Sequence, residues 1–119
     1  MLEIDADRDE ANRIRFGEIS ARAGDIAFRA VKLAIELAAN GMVDATVTGP
    51  IHKESLNMAG HHFSGHTEIY AHLTDTGKFA MRLADDDFRG IHVTTHKSLR
   101  QACDLVKKDK VLDVIRMMN

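Results

Sequence analysis

The 119-residue sequence has a single cysteine, a single proline and no apolar run that approaches membrane-spanning length. One cysteine, Cys103, leaves no internal disulfide to form and suits a reducing cytosol, so a cytoplasmic location is expected. Its place in a helical stretch reads as a small, buried apolar residue. The lack of a long apolar run leaves no transmembrane helix to expect. The opening residues, MLEIDADRDEANR, are acidic and polar, which fits neither a signal peptide nor a transit peptide. A basic excess is also missing. The net charge is −2 and no basic face stands out, so charge gives no case for a nucleic-acid partner. There is no H-E-x-x-H, no C-x-x-C, no Walker loop and no G-x-G-x-x-G. No single motif therefore marks a metal site or a Rossmann dinucleotide site. What remains, 45% apolar and 29% charged, is ordinary for a soluble chain with room for one modest core.

Residues 43–68, VDATVTGPIHKESLNMAGHHFSGHTE, concentrate the informative chemistry. They hold the only proline, three of the eight glycines and four of the seven histidines. Residues 43–48 read as a buried strand that opens through Gly49-Pro50 into a polar turn. A short helix is expected over 53–59, broken by Gly60, and another starts at Gly65-His66-Thr67-Glu68. Small residues, hydroxyls and imidazoles thus gather where a strand ends and helices begin, which in open α/β sheets is where ligands bind.

Elsewhere the pattern is that of one α/β domain. Residues 1–16 read as an extended or frayed leading segment and 17–119 as the body. The period predicts a helix over 20–39, capped by Ser20 and closed by Asn40-Gly41, with Ile19, Ala23, Ile26, Ala30, Leu33 and Leu37 on its apolar face. Arg22, Arg29, Lys32 and Glu36 form its wet side. In the helix begun at His66, Ile69, Leu73 and Tyr70 face inward. Residues 78–84 alternate as a strand with Phe79, Met81 and Leu83 on one face. Asp85, Asp86 and Asp87 read as a solvated hairpin loop rather than a metal site, and 91–94 as a second strand. Ser98 and Gln101 form a capping-box pattern for a helix over 99–107. Asp109 can cap a last helix over 110–118.

Four positions could carry function. His66 and Thr67 sit at a helix start, where free backbone N–H groups and the helix dipole favour an anion. The competing reading is that Ser64 or Thr67 merely caps the helix and His66 is a surface residue. His96, after two threonines at a strand end, suits a metal ligand or general base, or a hydrogen-bonded loop histidine. Lys53, beside His52, could meet an anion or be solvated. His61 and His62 are adjacent, cannot share one face, and read as surface. His72 and His92 have no partner in sequence.

Taken together, VTGPIHKESLNMAGHHFSGHTE and HVTTHKSLR resemble the 4-hydroxythreonine-4-phosphate dehydrogenase family of vitamin B6 biosynthesis. Relatives acting on D-threonate or D-erythronate 4-phosphate belong to it. The resemblance runs from about Gly17 to the C-terminus and rests on T-G-P-x-x-K, G-H-T-E and T-T-H in that order. It implies a partial three-layer α/β/α fold of isopropylmalate-dehydrogenase-like type and a homodimer. It also implies NAD or NADP and a divalent metal (zinc, magnesium or cobalt). The implied reaction oxidises, and then decarboxylates, a small phosphorylated hydroxy acid. His66 and Thr67 would bind the substrate and His96 the metal. Two further metal-binding histidines, and the lysine, asparagine and arginine of the family's later segment, have no counterpart here. The chain is therefore expected to be a central fragment that is inactive alone, self-associates through uncovered apolar faces and holds metal loosely. The rival expectation is a non-catalytic α/β module that dimerises or binds a phosphorylated ligand.

Overall fold

In a computed structural model, residues 12–118 are described. Most of the expected leading segment lies outside them. The chain divides into two compact units, Met1–Thr76 and Gly77–Asn119.

Among the described residues, the first unit is three helices around one core. α1 spans Ala21–Ala39, α2 spans Lys53–Met58 and α3 spans His66–Leu73. Local sequence sets the ends of α1. The Ser20 hydroxyl accepts the Ala23 N–H at 3.2 Å, as expected for an N-cap. At the other end Gly41 takes φ +68, the Met42 N–H reaches Leu37 O at 2.9 Å and the Gly41 N–H reaches Ala38 O at 3.0 Å. That is a Schellman closure, and it needs a residue without a Cβ penalty in the left-handed region. α2 closes the same way through Gly60, at φ +88, with the His61 N–H on Leu56 O at 2.9 Å. The closure turns His61 back towards α1.

Val31, Ile35, Leu56 and Ile69 are buried together, with Phe28, Ile51, Phe63, Tyr70 and Leu73 packed against them. Ile69, Tyr70 and Leu73 thus face inward, as their spacing indicates. The wet side of α1 is also where its charges place it: Arg22, Arg29, Lys32 and Glu36 are exposed. Its apolar stripe is not. The seam against α2 and α3 runs through Gly24, Phe28, Val31 and Ile35, whereas Ala30 is exposed and Ile19 is 47% exposed. α1 carries two apolar stripes at the same period, and periodicity cannot choose between them.

Residues 43–48 do not form the expected strand. They run without a ladder, and Val47 is 99% exposed. A strand exists only by pairing, and among the described residues the one sheet is a two-stranded hairpin in the other unit. The segment is tied instead by a hydrogen bond between Thr46 Oγ1 and the Tyr70 hydroxyl.

His61, expected at the surface, is half-buried. Its ring stacks on Phe28 with centroids 3.8 Å apart and planes 14° apart, and its Nε2 lies 2.9 Å from Asp25 Oδ1. Phe63 stacks on the same Phe28 at 5.9 Å. His62 points away, with Nδ1 2.9 Å from Asn57 Oδ1. His61 therefore latches the end of α2 onto α1. A stacked ring contributes about 0.5–1.5 kcal/mol and a hydrogen bond about 1 kcal/mol. His61→Ala should therefore cost about 1–2 kcal/mol in a urea melt. Asp25→Ala should add little on top of it. Fully additive losses in the double variant would mean that the two side chains are not coupled.

The second unit is a hairpin and two helices. β1, Arg82–Ala84, pairs antiparallel with β2, Arg89–Ile91, and the register sets Leu83 opposite Gly90. Both strands are shorter than expected, and β2 starts earlier than residue 91. Asp85 N–H reaches Phe88 O at 2.7 Å, so the three aspartates are a hairpin turn, as expected. Phe79, Met81 and Leu83 are all exposed. α4 spans Leu99–Leu105 and carries both bonds of the Ser98–Gln101 capping box. It ends two residues before the expected boundary and buries none of its residues, so Cys103 is exposed rather than buried. α5 spans Lys108–Met118 and buries Val114. Asp109 lies inside its first turn and is not its cap.

Candidate functional site

α3 begins without a side-chain cap. Its N-cap is Gly65, and neither Ser64 nor Thr67 fills that role. The first N–H groups of a helix have no intrahelical partner, so a glycine there leaves them to another acceptor. His66 and Thr67 are the first two helical residues, and both are partly buried. His66 Nε2 is shut off from solvent and has no hydrogen-bond partner among the described residues; Glu68 Oε2 is in the same position. Buried polar atoms are ordinarily paired, so two orphans within three residues point to an outside group. The core fixes this arrangement, because Ile69, one residue further on, is fully buried and sets the rotation of α3.

Lys53 opens α2 and is exposed. Its neighbour His52 has a structural task the sequence did not disclose: Nδ1 accepts the Ser55 N–H at 3.3 Å and caps α2. Behind that cap, Gly24 of α1 lies against the main chain of Ser55 and Leu56.

His96 belongs to the second unit. It is not at a strand end, since β2 stops at Ile91, but in an exposed bend with φ +54. A non-glycine residue in that region carries strain of about 1–2 kcal/mol, and histidine is among the residues that tolerate it best. Among the described residues, no three histidine, cysteine, aspartate or glutamate side chains converge as metal ligands. His96 alone does not make a metal centre.

The sequence as a whole matches a known family. The family described as "Pyridoxal phosphate biosynthetic protein PdxA" matches residues 2–119. This chain belongs to the PdxA family. Among PdxA relatives, D-threonate 4-phosphate dehydrogenase of Pectobacterium atrosepticum is 42% identical over 114 residues, 96% of this chain and 35% of that protein. The enzyme of the same name from Salmonella typhimurium is 43% identical over 112 residues, 94% of this chain and 34% of that protein. A crystal structure of 4-hydroxythreonine-4-phosphate dehydrogenase from Klebsiella pneumoniae superposes with a TM-score of 0.84 at 44% identity, covering 91% of this chain and 33% of that one. One from Burkholderia phymatum gives a TM-score of 0.74 at 41% identity, over 88% and 32% of the two chains. The fold class is accordingly α/β. The chain spans about a third of the length of the PdxA relatives it matches.

Sequence reasoning placed His66, Thr67 and Lys53 in one polar stretch, and the structure keeps them on the first turns of two helices that both pack on α1. It missed Gly24, the His61–Asp25 latch and the unpartnered state of Glu68. Nothing local signals a pair 36 residues apart.

Proposed function

We propose that this chain supplies the substrate-binding face of a dehydrogenase that oxidises, with decarboxylation, a phosphorylated four-carbon hydroxy acid such as D-threonate or 4-hydroxythreonine 4-phosphate. The complete enzyme is read as an isopropylmalate-dehydrogenase-like homodimer using NAD or NADP and a divalent metal. Neither a glycine-rich dinucleotide loop nor a converging ligand set occurs among the described residues. His96 is the residue offered to the metal, and the backbone strain held at its φ of +54 supports a role beyond packing.

The observation that carries this reading is His66 Nε2, buried and without a partner among the described residues at the uncapped start of α3. An imidazole nitrogen so placed holds a substrate oxygen by donating its proton. Thr67 adds a hydroxyl beside it, and the helix N–H groups add fixed donors. Together they bind and orient one end of the acid. Orientation is what turns a bound alcohol into a reactive one, because hydride transfer requires a near-attack geometry. Lys53, on the exposed first turn of α2, is the candidate contact for a second anionic group.

The test is titration of D-threonate 4-phosphate and 4-hydroxythreonine 4-phosphate into the protein, followed by the imidazole resonances. A hydrogen bond to a charged group is worth about 1.5–3 kcal/mol, so His66→Ala should weaken binding about 10- to 150-fold. Unchanged affinity in that variant, or a shift confined to other histidines, would remove His66 from the site.

A further inference from the structure

Glu68 is the member of the G-H-T-E turn with no role so far. It lies in the first turn of the eight-residue α3. Its carboxylate folds back over the helix start, since a Cβ built on Gly65 would sit 3.5 Å from Glu68 Oε2. That is the direction a glutamate takes in a capping box, where it accepts an N–H at the N-cap. Here Oε2 is buried and has no hydrogen-bond partner among the described residues. A carboxylate oxygen withdrawn from water without a donor is costly, so its surroundings call for one. The position also restricts the ligand. A phosphate drawn to the N–H groups of α3 would meet a negative carboxylate already lying over Gly65, and like charges at such range repel.

Resting on the reading that α3 opens onto the substrate, we propose that Glu68 is a specificity-determining residue. Its carboxylate accepts a hydrogen bond from a hydroxyl of the acid, and the phosphate seats away from the α3 start. The turn thereby recognises the hydroxylated carbons and not the phosphate end. A ligand with the same chain and charge but no hydroxyl has no donor to offer Glu68.

The experiment compares three ligands on the wild-type protein and on Glu68→Gln: D-threonate 4-phosphate, 4-phosphooxybutanoate, which lacks the hydroxyls, and inorganic phosphate. Wild type should prefer the hydroxylated acid. Glu68→Gln keeps the shape and removes the charge, so it should weaken D-threonate 4-phosphate about 10-fold, leave 4-phosphooxybutanoate unchanged and, with the repulsion removed, not weaken inorganic phosphate. A thermal melt shows whether the variant is folded. If it is not, Glu68→Asp, which retracts the charge, should show the same selective loss. Equal weakening of all three ligands would make Glu68 structural and overturn the proposal. If wild type does not bind D-threonate 4-phosphate at all, the proposed function itself fails. If wild type binds it and Glu68→Gln binds it equally well, only the role of Glu68 fails.

Discussion

Gly24→Ala is expected to destabilise the first unit by about 3 kcal/mol, the upper part of the range for overpacked cores. Propensity alone points the other way, because alanine in a helix interior is better than glycine by about 1 kcal/mol. Packing reverses the sign. A Cβ on Gly24 would lie 2.0 Å from Ser55 O, 2.2 Å from Ser55 C and 2.7 Å from Leu56 N. All three are main-chain atoms of α2, so no side chain can swing aside. Either α2 moves off α1 or the helices bend, and both options disturb Leu56, the centre of the core. Gly77→Ala is the control, since nothing lies within 4 Å of its added Cβ. Urea melts should show a large loss at Gly24 and almost none at Gly77. Equal midpoints would mean that α1 and α2 do not approach so closely. Ligand binding should fall with the Gly24 variant as well, because α2 and α3 are both held against α1.

Leu56→Ala should cost about 2–5 kcal/mol. Leu56 is 0% exposed and is clustered with Val31, Ile35 and Ile69. Truncation leaves a cavity where three helices meet, and the surroundings of such a cavity relax only partially to fill it. Domains of this size are stable by only about 5–15 kcal/mol, so the loss could leave much of the chain unfolded. Leu56→Met preserves volume and should cost less than about 1.5 kcal/mol. The paired melts check the mechanism: equal losses in Leu56→Ala and Leu56→Met would mean that shape, not volume, governs the site. Partial restoration of the Leu56→Ala midpoint by saturating D-threonate 4-phosphate is expected if folding and binding are linked.

Helix boundaries were readable in the sequence wherever the chemistry closes within a few residues. The Ser20 cap, the Asn40-Gly41 stop, the break at Gly60 and the Ser98–Gln101 box all appear where the residues place them. The hairpin turn at the three aspartates and the inward face of α3 were legible for the same reason. The ordered triple T-G-P-x-x-K, G-H-T-E and T-T-H was specific enough to indicate the family, and the match over residues 2–119 agrees.

Tertiary structure alone decided the rest. It chose the Gly24–Phe28–Val31–Ile35 stripe over an equally periodic neighbour, because only contact with α2 and α3 tells two stripes apart. It left residues 43–48 unpaired, because a strand's hydrogen bonds belong to another segment. It brought His61 to Asp25 across 36 residues and left Cys103 on an unburied helix. Above all, it showed that His66 Nε2 and Glu68 Oε2 are buried without partners among the described residues. Residue identity settles what a cap or a turn does, since its partners are its neighbours in the chain. Whether a buried nitrogen or oxygen is satisfied depends on every atom that folding brings near it, and no local pattern in the chain records that.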